Sequence, residues 1–88
     1  MTLDTLLDLS ARLRPPPAGL VNVQVGRAVE GPGGRWVPCA SVRADGAFVA
    51  CLYEIGPGRR QVCADVPLLP SADEALRCAV DLAHTAAA

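Results

Sequence analysis

Three glycine-rich turn signals divide the middle of the chain into segments of alternating polarity. They are Gly31-Pro32-Gly33-Gly34, Asp45-Gly46 and Gly56-Pro57-Gly58. Glycine tolerates the backbone angles of tight turns, and Asp-Gly between alternating apolar residues is a strong hairpin signal. The segments between the turns, about 20–30, 35–44, 47–55 and 60–66, show the period of two that is typical of half-buried strands. The sequence therefore predicts a four-stranded antiparallel meander.

A helix is predicted on each side of this meander. Leucines recur near helical spacing from Leu3 to Leu13, and the prolines that follow end the pattern, which predicts an N-terminal helix over 2–13. Ser71 followed by Glu74 forms a capping box, which predicts a second helix from there to about Ala83. The expected fold class is α+β, with the C-terminal helix packed on one sheet face, in one domain over 1–88.

Length and composition indicate what such a domain needs for stability. The chain has 88 residues, of which 51% are hydrophobic and 19% charged. A domain of this size has a small core and is often stabilised by a partner. We find no apolar run near the length of a membrane span and no basic start typical of a signal peptide, so we expect a cytoplasmic protein with reduced cysteines and no membrane contact.

The turns also predict which side chains share a sheet face. A two-residue turn at Asp45-Gly46 places Val42 opposite Val49 and Ala40 opposite Cys51, on the face that the C-terminal helix covers. The opposite face is then unusually apolar. We expect this face to bind another protein, most simply a second copy, unless the N-terminal helix covers it. Its predicted partner-binding residues are Val37, Cys39, Phe48, Leu52 and Cys63.

Three cysteines recur every twelve residues, at Cys39, Cys51 and Cys63. The predicted register places Cys51 on the helix-covered face and the other two opposite, which favours structural apolar thiols over a metal site or a redox role. His84 is the only histidine, and no nucleophile has an orienting partner in the sequence. We therefore expect no catalytic residue, no metal, no cofactor and no enzyme activity.

A second interpretation rests on the turns at one end of the meander. They bring Arg35, Trp36, Arg59 and Arg60 together, and guanidinium groups beside an indole suit phosphate groups or stacked bases. The strands followed by the helix start at 71–76 also resemble antitoxin subunits of the HicB type, which implies an antitoxin-like role. The net charge of −1 argues against nucleic acid as the main partner. We thus expect a small accessory or regulatory protein that acts by protein–protein contact as a homodimer, with nucleic-acid binding as the alternative.

Overall fold

An antiparallel sheet and one helix make up the computed structural model, which describes residues 13–14, 19–56, 61–64 and 69–88. The sheet order is β1-β6-β5-β4-β2, and β3 also pairs with β4. Since β2 and β3 lie along the same side of β4, six strand segments fill five positions. The elements are β1 (Leu13–Arg14), β2 (Val21–Val25), β3 (Val29–Gly31), β4 (Gly34–Val42), β5 (Phe48–Ile55), β6 (Gln61–Ala64) and α1 (Ala72–Ala87).

The predicted fold class is wrong in its N-terminal helix and in its four-stranded meander. Leu13 and Arg14 form a strand that pairs with β6, where the helix was predicted to end; residues 2–12 of that prediction lie outside the described residues. Pro15 restricts the residue before it to extended backbone, which suits a strand better than a helix end. The C-terminal helix and the antiparallel sheet are confirmed.

The hairpin between β4 and β5 contains three loop residues instead of the predicted two. Arg43 N donates to Ala47 O at 2.8 Å, and Gly46 N donates to Arg43 O at 2.9 Å. Gly46 has a φ of 88°, the left-handed conformation that glycine adopts without strain. Asp45 Oδ1 accepts from Ala47 N at 3.1 Å and closes the loop from its side chain. This is a type I turn followed by a glycine bulge.

The additional loop residue shifts the pairing of β4 with β5 by one position. Val42 pairs with Phe48, and not with Val49 as predicted. The preceding hairpin has the predicted register, since Val29 pairs with Trp36. Because side chains alternate between the two faces of a strand, a shift of one residue exchanges the faces of β5 relative to β4.

Helix α1 covers one face of the sheet. Ser71 is its N-cap, with Oγ accepting from Glu74 N at 3.2 Å as the capping box predicts. The helix continues to Ala87, four residues beyond the predicted end. Its buried residues are Ala75, Ala79, Ala83 and Ala87. Alanines four residues apart form one stripe, and their small size permits a close approach to β4 and β5.

The C-terminal end of α1 reaches the turn between β3 and β4. Gly33 N donates to Ala87 O at 2.8 Å, which satisfies one carbonyl of the last helical turn. A Cβ atom at Gly31 would overlap Ala87 O, so glycine is required for this approach. Within the described residues, no helix has the length and apolarity needed to cross a bilayer.

Candidate functional site

Three thiols lie side by side on the sheet face that α1 does not cover. Cys39 on β4 pairs with Cys51 on β5, and Cys51 pairs with Cys63 on β6. The prediction that Cys51 points toward the helix-covered face, opposite Ala64, is therefore wrong. We call this face the thiol face; its residues on β4, β5 and β6 are Arg35, Val37, Cys39, Ser41, Val49, Cys51, Tyr53, Ile55, Gln61 and Cys63.

The closest contact within the row joins Cys51 and Cys63. Their Sγ atoms are 2.7 Å apart and share a hydrogen bond in which either thiol can be the donor. Cys39 Sγ donates instead to Val37 O at 3.7 Å. The exposed fractions of Cys39, Cys51 and Cys63 are 2%, 0% and 4%, so all three thiols are buried. The row therefore contains one close thiol pair and one neighbour that points to the backbone.

A chain of polar side chains crosses the thiol face. Asn22 Oδ1 accepts from Ser41 Oγ at 2.7 Å and from Gln61 Nε2 at 3.1 Å. Asn22 lies on β2 and Gln61 on β6, which are separated by β4 and β5 in the sheet. In a flat sheet three strand spacings amount to about 14 Å, more than two amide side chains can span. The sheet must therefore curl toward the thiol face.

Hydrogen bonding and burial give the three thiols different acidities. Hydrogen bonding lowers the pKa of Cys51 from its ordinary 9.0 to about 7, with donation from Cys63 as the largest cause and burial opposing it. The neighbouring polar side chains of Ser41 and Gln61 make smaller contributions in the same direction. The pKa of Cys63 is raised because its thiol is the donor to Cys51 and because it is buried. Burial, followed by the charge of Cys51, raises the pKa of Cys39.

This arrangement places a cysteine whose pKa is lowered beside one whose pKa is raised. The thiolate is the nucleophilic form of cysteine, so Cys51 is the more reactive member of the pair. The described residues include no group of three or more His, Cys, Asp or Glu side chains arranged to hold a metal ion. The fourth cysteine, Cys78, is half-buried on α1, where it packs against Ala50 and Ala79. It therefore lies on the other side of the sheet from the row.

The five predicted partner-binding residues are divided between the two faces. Val37, Cys39 and Cys63 lie on the thiol face. Phe48 and Leu52 lie on the face that α1 covers, because of the register shift at the hairpin. Leu52 has no exposed surface and belongs to the core cluster that includes two alanines of the helix. The sheet therefore does not present these five side chains as one surface.

The arginine and tryptophan cluster is described only in part. Trp36 is buried, and its Nε1 donates to Gly33 O at 3.2 Å, so the indole is a core residue with its polar group already bound. Arg35 is exposed at the neighbouring position. Arg59 and Arg60 lie outside the described residues. Anion or nucleic-acid binding by this cluster remains a prediction, and the burial of Trp36 weighs against stacking of a base on its ring.

An exposed apolar surface was missed by sequence reasoning. Val21, Val23 and Val25 on β2 have exposed fractions of 58%, 46% and 63%. The alternating pattern of this segment predicted a half-buried strand, in which apolar side chains face the core. They are exposed because β2 is the outermost strand of the sheet beyond β4. The absence of charge from 15–26 was a signal that could have identified this edge, since charged side chains commonly protect edge strands.

Comparison of the chain with protein-family models, with curated proteins and with solved structures finds no match. The resemblance to HicB-type antitoxins therefore gains no support from these comparisons. Two features of the described residues suggest a function. They are the thiol face and the outer side of strand β2, which we call the β2 edge.

Proposed function

We propose that the protein is a small accessory protein that acts by protein–protein contact and that self-associates through the β2 edge. The observation that carries this proposal is the exposure of Val21, Val23 and Val25 on the outermost strand. Among the described residues, no strand pairs with the outer side of β2. An edge strand of this kind accepts another strand in β-strand addition.

The side chains of β2 favour pairing with another strand. Proteins that remain monomeric commonly protect an edge strand with lysine, proline, a bulge or an inward-pointing charge. Strand β2 has the sequence Val-Asn-Val-Gln-Val and carries no charge. One protective feature is present, a bulge between Asn22 and Gln24. We therefore expect a contact that is short and reversible.

A second copy of the chain is the occupant that we propose. Symmetric dimers bury the same patch on both subunits. In an antiparallel pair with its two-fold axis at Val23, only uncharged side chains of the two strands come together, so no like charges are in contact. The bulge places Val21 and Val25 on opposite faces of the sheet, since they pair with Val42 and Cys39. The absence of charge along the whole strand supports pairing of two copies.

The size of the contact sets its expected strength. A strand of five residues is about 17 Å long, so pairing of two such strands alone falls below the roughly 1,200 Å² that stable complexes bury. The apolar side chains at the edge add contact area on both sides of the paired strands. We expect association that depends on protein concentration rather than an obligate dimer.

The test is the molar mass in solution measured by light scattering over a wide range of protein concentration. We expect the wild-type mass to rise from that of one chain toward that of two. Val23→Lys should keep the mass at one chain, because it places two like charges in contact at the two-fold axis. Ile55→Lys is the matched control, since Ile55 is an exposed aliphatic residue, 37% accessible, away from β2. It should associate as the wild type does.

Three results would contradict the proposal. One is a wild-type mass equal to one chain at every concentration. Another is a dimer that Val23→Lys leaves intact. The third is equal loss of association in Val23→Lys and Ile55→Lys, which would indicate a general effect of added charge. Circular dichroism of each variant establishes that the fold is retained.

A further inference from the structure

The cross-strand position of Cys51 and Cys63 meets the geometric requirement for a covalent bond between them. Directly opposed residues of antiparallel strands have Cα atoms about 4.5 or 5.5 Å apart, and both values lie within the range that disulfides span. The sulfur atoms are already 2.7 Å apart. A disulfide needs about 2.05 Å, so small side-chain adjustments suffice without movement of the strands.

We infer that Cys51 and Cys63 are a redox modification site, at which hydrogen peroxide converts the two thiols into a reversible disulfide within the folded chain. This inference is independent of self-association through β2. The site joins β5 to β6 and lies on the thiol face, away from the β2 edge. Peroxide is the oxidant that suits the site, because it is small and uncharged and both sulfurs are buried.

The two cysteines have distinct parts in the reaction. Cys51 accepts a hydrogen bond from Cys63 and lies near the amide of Gln61, a further donor, and both stabilise its thiolate. Cys51 is therefore the attacking sulfur. Cys63 keeps its proton and resolves the intermediate. Redox-sensing proteins place a low-pKa cysteine next to a resolving cysteine, and their reactive cysteine is commonly accessible to solvent. Cys51 shares the pairing but has no exposed surface, so the site selects a small oxidant.

The reaction balances with peroxide as the only oxidant. The Cys51 thiolate attacks one peroxide oxygen and the O–O bond breaks, which leaves Cys51 as a sulfenic acid and releases hydroxide. The hydroxide takes up the proton that Cys51 had released and becomes water. The sulfur of Cys63 then attacks the sulfur of Cys51, the S–O bond breaks, and the leaving hydroxide departs with the Cys63 proton as a second water. Two thiols and one peroxide thus give one disulfide and two waters.

The positions of the other cysteines make this pairing selective. Cys39 lies on the opposite side of Cys51 from Cys63, and its thiol donates to Val37 O. Cys51 lies between Cys39 and Cys63 in the row, so its side chain separates these two sulfurs. Cys78 is on α1, beyond the sheet from the row. Cys51 with Cys63 is therefore the expected product.

The experiment is peroxide treatment of the full chain without denaturant, followed by alkylation, tryptic digestion and mass spectrometry. Arginines at 43, 59, 60 and 77 place each of the four cysteines on its own tryptic peptide, so every possible pairing gives a distinct mass. We expect the Cys51 peptide to be linked to the Cys63 peptide. The mass of the linked product should be lower than the sum of the two peptides by the mass of two hydrogen atoms. The linkage should lie within one chain. Dithiothreitol should restore both thiols.

Two variants establish the roles. Cys63→Ser should abolish the disulfide and leave Cys51 as a sulfenic acid that a dimedone probe captures. Cys78→Ser is the matched control and should form the Cys51–Cys63 link in the same yield as the wild type. The inference is overturned if the wild type pairs Cys51 with Cys39, if the linkage joins two chains, or if both thiols stay reduced while the circular dichroism shows a folded protein.

Discussion

The sulfur of Cys51 lies 2.7 Å from that of Cys63, although the sequence pattern predicted that the two side chains point to opposite faces of the sheet. The hairpin at Gly46 has one more loop residue than predicted, and the register of β5 against β4 is shifted by one residue. The register of β5 against β6 also differs from the predicted one by one residue. The twelve-residue recurrence of cysteine thus becomes a row of three thiols. The chemistry of the thiol face follows from this register.

The acidity of Cys51 should depend on the residue at position 63. In the wild type the NMR chemical shift of the Cys51 Cβ should titrate at a pH of about 7, where the Cys51 thiolate forms. Cys63→Ala removes the strongest donor, so the pKa of Cys51 should move up and the titration curve should shift to higher pH. The measurement is an NMR titration of the Cys51 Cβ, which requires no reagent to enter the buried site.

Two further variants separate hydrogen bonding from general disturbance of the thiol face. Cys63→Ser retains a donor and should restore part of the shift. Cys39→Ala removes the other neighbour of Cys51, which does not contribute to the lowered pKa, and should leave the curve in place. Identical curves for the wild type and Cys63→Ala would show that the thiol contact does not set the acidity.

Leu52 should contribute to stability rather than to partner binding. It is fully buried and packs with Trp36, Ala83 and Ala87. Leu52→Ala is expected to lower the free energy of unfolding by about 2–5 kcal/mol, from lost burial and the cavity left behind. Urea denaturation followed by circular dichroism measures this loss. Ile55→Ala, at an exposed position away from β2, should change the value by less than about 0.5 kcal/mol; equal effects would contradict the packing described.

The contribution of the α1 N-cap to the free energy of unfolding should be measurable with a single substitution. Ser71 Oγ accepts from Glu74 N and satisfies one of the unpaired donors at the helix start. Ser71→Ala is expected to cost about 1 kcal/mol of stability, whereas Ser71→Asn should retain most of it. Chemical denaturation of the three proteins provides the comparison. A stability ranking with the alanine variant equal to the wild type would show that the cap is not formed in solution.

The contact of Gly31 with the end of α1 should not tolerate a side chain. A Cβ atom there would meet the backbone of Ala87, which cannot move without disturbing the helix end. Gly31→Ala should therefore lower the thermal midpoint. The control is Gly46→Asn, because Gly46 has open space around it and asparagine accepts a positive φ. If Gly31→Ala leaves the thermal midpoint unchanged, the end of α1 must lie farther from the turn between β3 and β4 than it does in the structure.

Local signals in the sequence predicted the local elements well. The capping box located the start of α1 at Ser71, and Pro32-Gly33 set the register in which Val29 meets Trp36. Both features depend on residues close to each other along the chain. Helical spacing of leucines near Leu13 was less informative, because Leu13 is part of a strand that pairs with distant β6.

The positions of the candidate sites depend on strand register and strand order, which local sequence patterns do not specify. Asp45-Gly46 fits both a two-residue and a three-residue hairpin, and the choice between them decides which face Cys51 occupies. The exposure of Val23 depends on β2 being outermost, which is a property of the strand order. Apolar alternation alone therefore could not distinguish the edge from the core.

The register of the three cysteine strands is the central claim, and nuclear Overhauser effects between backbone protons test it most directly. We expect cross-strand contacts that join Cys39 with Cys51 and Cys51 with Cys63, and a matching contact that joins Ala40 with Ala50. Contacts that instead join Ala40 with Cys51 and Cys51 with Ala64 would restore the two-residue turn. That result would place Cys51 on the helix-covered face and would remove the thiol pair.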